Sequence, residues 1–350
     1  MGLHPYSTEP ERLYEWSGPL LEVDDLRLEF RTRDGVVRAL NGVSYSVAAG
    51  ETLAILGESG SGKSVSAQAI MGLLETPPAH VTGGEIRYRG RDLLTATEEE
   101  RRQVRGKEIA MVFQDSLSAL NPVFPVGWQI AETLRVRRGM NKTDALDRAA
   151  QLMDQVRIPD ARRRLSDYPH QFSGGMRQRA MIAMALALDP PVLIADEPTT
   201  ALDVTVQAQI MQLLAELQAE RNMALILITH DLAVVAGIAD RIAVMYAGRV
   251  IEQSDVYSLY AAPAHPYTRG LLGSVPRLDL KGGRLASIPG SPPSLANIPP
   301  GCPFHPRCRY AQSICAQEAP YPHLLPGARA EGRLSECHFA EKVVNDPLPQ

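Results

Sequence analysis

Gly57-Glu58-Ser59-Gly60-Ser61-Gly62-Lys63-Ser64 follows directly on an apolar run, Thr52-Leu53-Ala54-Ile55-Leu56. The octapeptide fits G-x-x-x-x-G-K-[ST] without a gap, and the run before it reads as a buried strand. Three glycines let the backbone curl until consecutive N–H groups face one anion. A helix expected to start near Lys63 adds the positive end of its dipole. In such a loop Lys63 reaches the β- and γ-phosphates and Ser64 holds Mg²⁺. The plainer alternative is a glycine-rich turn between a strand and a helix, and the Lys-Ser pair behind an apolar strand argues against it. The segment predicts a nucleoside triphosphate site.

The pattern along the chain supports a sheet around that loop. Leu21, Val23, Leu26, Leu28 and Phe30 predict a strand with one break in its alternation. The Arg33-Asp34-Gly35-Val36 turn leads into a second strand carrying Val43, Tyr45 and Val47. Residues 63–74 read as a helix, Ile86 and Tyr88 mark a strand, and Ile109 to Phe113 mark another that ends at Gln114. From about 116 to 170, Asn-Pro turns and patches rich in Arg, Ala and Leu suggest an inserted helical subdomain. Met176 to Leu188 reads as a helix, and Val192-Leu193-Ile194-Ala195 as a buried strand tipped by Asp196-Glu197. Val206, Ile210, Leu213, Leu214 and Leu217 recur at helical spacing, and Leu225 to Ile228 is a strand ending in Thr229-His230-Asp231. Alternating strands and helices imply a mostly parallel α/β sheet whose ligands gather at the carboxyl ends of its strands. The phosphate loop, Gln114, Asp196, Glu197 and His230 all follow predicted strands.

Two acids at a strand tip suit a division of labour. Asp196 can hold Mg²⁺ directly or through water, and Glu197 can polarise an attacking water. Phe172-Ser173-Gly174-Gly175-Met176 opens a helix, which makes a second anion-binding N-terminus or, read alone, just a helix cap. Lying between the phosphate loop and the acidic pair, it resembles the signature of the ABC ATPase superfamily. That resemblance covers residues 21 to about 255.

It implies an ABC-type nucleotide-binding domain over residues 20–255, after a flexible tail at 1–19. The domain would combine a P-loop core sheet, an antiparallel β subdomain and an inserted helical subdomain at about 116–175. Gln114 in Val-Phe-Gln matches the Q-loop and joins Ser64 and Asp196 around Mg²⁺. Ala201-Leu202-Asp203 matches the D-loop, and His230 matches the switch histidine that touches the γ-phosphate. Catalysis would rest on Glu197, His230 and Gln114. Phe30 is the candidate to stack on adenine, with a plain core role as its alternative; Arg31 to Asp34 look like a short insertion. Met176 departs from the Gln usual in the family, although Ser173, Gly174 and Gly175 are intact. By the same resemblance, ATP is sandwiched between the loop of one subunit and the signature of another. One chain then holds halves of two sites and needs a second ATPase subunit, of homologous rather than identical sequence.

The tail narrows the branch. His265-Pro266-Tyr267-Thr268, Gly270-Leu271-Leu272, Val275-Pro276 and Pro289-Gly290-Ser291-Pro292-Pro293 resemble the C-terminal extension of dipeptide and oligopeptide permease ATPases. Gly301-Cys302-Pro303-Phe304, Pro306-Arg307-Cys308 and Glu336-Cys337-His338 continue the match. His265 itself is read as a packing or hydrogen-bonding residue. Residues 256–350 otherwise look irregular, and the four cysteines, Cys302, Cys308, Cys315 and Cys337, are the expected staple. Gaps of five, six and twenty-one residues lack the tight pairs of a zinc ribbon, so spacing leaves an iron–sulfur cluster, zinc or free thiols open. The resemblance points to a structural [4Fe-4S] cluster.

Bulk properties fit this picture. A net charge of −4 does not suggest nucleic-acid binding, and no apolar stretch approaches the ~18–20 residues that span a bilayer. The resemblance implies a peripheral subunit on the cytoplasmic face of a membrane, powering peptide uptake through two permease subunits and, indirectly, an extracytoplasmic peptide-binding protein. A DNA-repair or translation ABC protein is the competing class. Only 110 positions separate Lys63 from Ser173, without sustained heptads, and there is one cassette rather than two. A non-hydrolysing regulatory subunit would be expected to lack Glu197 and His230.

Overall fold

Some strands of this chain are buried on both faces and others on one, and the two kinds sort into two sheets. The computed structural model describes residues 18–115, 119–200, 202–274, 288–325 and 332–346. In chain order its strands are β1 (Leu21–Thr32), β2 (Gly35–Val47), β3 (Thr52–Leu56), β4 (Ala79–Tyr88), β5 (Arg91–Asp92) and β6 (Ile109–Val112). They continue with β7 (Val192–Asp196), β8 (Ala224–Thr229), β9 (Arg241–Tyr246), β10 (Arg249–Asp255), β11 (His323–Leu324) and β12 (Leu334–Ser335). The smaller sheet is antiparallel, in the order β2-β1-β4-β5, and the larger runs β11-β12-β10-β9-β3-β8-β7-β6.

In the larger sheet β9, β3, β8, β7 and β6 are mutually parallel. Their apolar runs carry two cores. Leu53, Ile55, Ile226, Ile228 and Ile194 face the smaller sheet and the helix Lys63–Met71. Ala54, Leu56, Leu225, Leu227, Leu193 and Ala195 face a helical layer. That layer contains Val126–Arg138, Lys142–Gln155 and Gly174–Ala185, with Ile130, Leu134, Leu152 and Ile182 in its core. Period-two alternation on strands buried on both sides therefore splits one continuous apolar run between two cores.

Several sequence expectations change in detail. The break in β1 is a bulge: register shifts fall between Val23 and Leu26, and Asp25 sits at φ +45°. Arg31 to Asp34 lie at the tip of the β1–β2 hairpin, where Thr32 pairs with Gly35 across a two-residue turn. The helix expected to reach residue 74 stops at Met71, since Gly72 adopts φ +59° and closes the end with its N–H to Ala69 O. β9 and β10 were not foreseen.

Beyond 255 the described residues include long irregular runs, in line with the proline- and glycine-rich sequence, but also regular elements that the sequence did not signal. These include helices Val256–Ala261 and Pro266–Gly273, then β11 and β12, and the last two lengthen the main sheet. Glu252 pairs with Ser335 across the β10–β12 ladder. A partly buried ion pair joins Arg249 to Glu336, with Nε–Oε2 2.7 Å and Nη2–Oε1 3.0 Å. Glu252 is wholly buried and accepts the backbone N–H groups of Ala264 at 2.7 Å and His265 at 2.8 Å. Burial pushes its carboxyl pKa up, and those two amides oppose the shift.

Glu252→Ala should strand both amides without an acceptor and cost about 2–4 kcal/mol. A lowered Tm, with proteolysis beginning in the extension, is the expected result.

Candidate functional site

The register of the parallel strands decides which residues meet. Leu56 pairs with Thr229, Asp196 with Ile228, and Val112 with Ala195, so the loops after β3, β6, β7 and β8 leave the sheet together. Ligands of parallel α/β sheets collect at this edge.

From Leu56 the chain turns through the glycine loop. Gly60 and Gly62 take φ +78° and +103°, and Gly62 caps the helix that starts at Lys63. A side chain could not replace the hydrogen of Gly62: a Cβ there would lie 2.8 Å from Ala39 O and 3.0 Å from Leu40 Cδ2. The Ser61 carbonyl accepts the Gly248 N–H at 2.9 Å, which ties the loop to the β9–β10 turn. Lys63 is buried, and its Nζ donates to the Gly57 and Glu58 carbonyls at 2.8 and 3.0 Å. Burial lowers its pKa, while the nearby carboxylates of Glu197, Asp196 and Glu58 raise it. Its ammonium is thus held by neutral carbonyls that an anion could replace.

Ser64 Oγ donates to Asp196 Oδ1 at 3.0 Å. Asp196 is buried, and desolvation raises its pKa against that hydrogen bond. A hydroxyl and a carboxylate at this separation suit a hard, oxygen-liganded cation such as Mg²⁺. Glu197 follows in the left-handed region at φ +45°, with its N–H bonded to Ile228 O at 2.9 Å. A non-glycine residue held there stores strain of the kind found at functional sites. Its carboxylate accepts from Gln114 Nε2 and Thr200 Oγ1, both at 2.9 Å, and His230 Nδ1 stands 3.6 Å from its other oxygen. Gln114, Asp196, Glu197 and His230 thus converge beside the loop. Thr200 was missed, because a threonine near an acidic pair carries no sequence signal of its own.

Ser173 caps the Gly174–Ala185 helix, its Oγ accepting the Met176 N–H at 3.3 Å. A Cβ on Gly175 would come within 2.7 Å of Val206 Cγ1, and one on Gly174 within 3.3 Å of Leu202 Cδ2. Both glycines are therefore needed for close packing on the Leu202–Val206 segment. Asp203 in that segment caps the Val204–Arg221 helix, its Oδ1 accepting the Val206 N–H at 3.0 Å. Among the described residues no hydrogen bond or ion pair joins Ser173, Gly174 or Gly175 to the 57–64 loop. Phe30 lies on β1 opposite Val37 and Ala79, and its half-buried ring packs on the core of the smaller sheet.

Two comparisons with known proteins identify the family. A model described as ABC transporter matches residues 40–200. One described as oligopeptide/dipeptide transporter, C-terminal region, matches residues 251–315. The chain is 53% identical over 318 residues to the oligopeptide transport ATP-binding protein OppD of Salmonella typhimurium strain LT2, covering 91% of this chain and 93% of the relative. The chain belongs to the ABC transporter ATPase family, in its peptide-permease branch. It is also 51% identical over 320 residues to the dipeptide transport ATP-binding protein DppD of Escherichia coli K12, covering 91% and 96%. A solved ABC cassette, the dimeric MJ0796 bound to ADP and Pi in a post-hydrolysis state, superposes with TM-score 0.61 at 28% identity over 67% of this chain and 98% of its own. CbiO1 of Clostridium perfringens, part of the ABC transporter complex cbiONQ, gives 0.59 at 29% identity over 69% and 91%. As an ABC ATPase the chain binds and hydrolyses ATP.

The four cysteines lie on the extension of this ABC fold. Cys302, Cys308, Cys315 and Cys337 are unpaired and line one small cavity with His265, Phe304, Tyr310 and Phe339. Cys302 N–H bonds Cys315 O at 2.8 Å, and Gly301 at φ +68° passes so close that a Cβ would fall 2.4 Å from the same oxygen. Burial raises the thiol pKa of Cys302, Cys308 and Cys337. Among the described residues no three His, Cys, Asp or Glu side chains group tightly enough to hold one metal ion.

Gly62→Ala should cost about 1–3 kcal/mol from its positive φ and the Ala39 clash, and it should weaken MgATP binding beyond the loss of folded protein. Tm and calorimetric affinity, measured on the same preparation, separate the two effects.

Proposed function

We propose that this chain drives uptake of di- and oligopeptides as the ATPase subunit of an importer, docked on the cytoplasmic face of a membrane against two permease subunits. The observation that carries this reading is the meeting of Ser64–Asp196 with Gln114–Glu197–His230 at one sheet edge, on a chain whose extension matches peptide-permease ATPases. Among the described residues no helix is long and apolar enough to cross a membrane. Cargo would be delivered by an extracytoplasmic binding protein, and specificity would reside there and in the channel.

In this reading the amides of residues 57 to 64 and the Lys63 ammonium take the triphosphate. Lys63 exchanges the Gly57 and Glu58 carbonyls for phosphate oxygens, a trade of neutral acceptors for charged ones. Ser64, Asp196 and Gln114 would hold Mg²⁺, which when bound would screen the phosphate charge. Glu197 orients the attacking water and accepts its proton, with Gln114, Thr200 and His230 fixing the carboxylate. Phe30 would stack on adenine. Ser173, Gly174, Gly175 and Asp203 would serve the nucleotide of a second, homologous ATPase subunit, with Ser173 and Asp203 each capping a helix N-terminus. Binding then closes the pair and hydrolysis reopens it.

Four thiols lining one cavity are the donor set of a [4Fe-4S] cluster, one cysteine to each iron, with zinc as the alternative occupant. Cys302, Cys308, Cys315 and Cys337 would hold the cluster. Bound there, it supplies four cross-links to a segment with a small core of its own.

Glu197→Gln should keep MgATP affinity within about twofold and cut turnover at least about 100-fold, leaving a closed dimer visible by light scattering. Near-normal hydrolysis by this variant removes Glu197 from the role of base. Anaerobically purified protein should carry iron and acid-labile sulfide in near-equal amounts. One zinc per chain, or neither metal, overturns the cluster assignment.

A further inference from the structure

The Pro306-Arg307-Cys308 and His265-Pro266-Tyr267 motifs have a task that nucleotide chemistry leaves unassigned. Both reach the outer side of the phosphate loop at Glu58. Arg307 Nη1 and Nη2 donate to Glu58 Oε2 and Oε1 at 2.7 and 3.0 Å, in a two-pronged pair whose arginine side chain is only 6% exposed. Its Nε donates to Pro289 O at 2.9 Å, and Nη1 also reaches Tyr246 Oη at 3.3 Å. The guanidinium is wedged near the rings of Tyr246 and Phe304, each centroid 5.9 Å away. Tyr267 is fully buried and its Oη accepts the Glu58 N–H at 2.8 Å. The rings of Tyr246, Tyr267 and Phe304 pack on one another at 4.7–5.4 Å, so neither anchor can swing freely.

Glu58 is thereby gripped at its carboxylate and at its amide by the extension, while its carbonyl accepts from Lys63 Nζ at 3.0 Å. Resting on the ATP-site reading above, we infer that Arg307 is a positioning residue for ATP binding, acting through Glu58 on the loop and on Lys63. It does so in two ways. It fixes the peptide that presents Lys63, so less loop motion is lost when the triphosphate arrives. It also neutralises a carboxylate that would otherwise repel a polyanion a few residues away. The extension is in this sense part of the nucleotide site, and Cys308 adjoins the contact in sequence.

The test uses the full-length chain titrated with MgATP by calorimetry, and the assembled transporter for turnover. Arg307→Ala should weaken MgATP binding and raise KM about tenfold, with kcat at saturating ATP within about twofold. Arg307→Lys, which keeps charge but not the fork, should fall between. Arg307→Ala combined with Glu58→Gln should bind MgATP better than Arg307→Ala alone, since the unpaired charge is gone. Glu336→Gln, which loosens the Arg249–Glu336 pair from its extension side, should lower Tm without moving KM. Wild-type affinity in Arg307→Ala, no recovery in the double variant, or an equal rise in KM for Glu336→Gln overturns the inference alone. Failure of the wild-type chain to bind MgATP overturns the ATP-site reading with it.

Discussion

The hydrogen-bonded register of β3, β8 and β7 is the constraint on which the rest of the molecule depends. Parallel pairing of Leu56 with Thr229 and of Ile228 with Asp196 sets three loops at one height. Ser64 and Asp196, 132 positions apart, then come within hydrogen-bond reach. A slip of one residue would turn every apolar side chain to the wrong core and carry Asp196 away from Ser64. Burial on both faces resists that slip, so the same apolar packing that stabilises the sheet also holds the ionisable groups in place.

Those groups sit in a balance typical of a site awaiting an anion. Desolvation disfavours charge on Lys63 and on Asp196, and each is partly compensated by the other's field. Lys63 spends its hydrogen bonds on loop carbonyls, while Glu197 is held by Gln114 and Thr200 in a strained backbone conformation. None of these contacts involves a large rearrangement to release. Pre-set dipoles and charges that only change partners are an inexpensive way to bind a polyanion.

The extension has only a small core of its own, with Cys337, Ala340 and Val343 buried among a few neighbours. It docks by placing Val256, Leu259, Tyr267 and Phe304 in the main core, and by polar pairs: Glu252 with two amides, Arg249 with Glu336, and Arg307 with Glu58. Buried pairs of this kind add little net stability over apolar packing but are costly to break singly, so they specify one arrangement. That property suits a segment whose contact with the phosphate loop has to be made at one place.

Much of this was legible in the residues themselves. The loop, the acidic pair, Gln114, His230 and the Ser-Gly-Gly segment were found because local motifs at strand tips need only neighbouring residues to be recognised. The roles of Arg307 and Tyr267 were not, because what they do depends on partners 249 and 209 positions distant that no spacing rule connects. β9 and β10 carried no signal that was read, and β11 and β12 none within an otherwise irregular stretch, since such short strands draw their stability from the edge of an existing sheet. The chemistry available to this chain was therefore written in short stretches of its sequence, where glycine conformation and side-chain type act locally. Which of those stretches share a site, and that the cysteine-bearing tail braces the phosphate loop, only tertiary packing decided, because contacts across the fold are set by strand register and burial rather than by nearness along the chain.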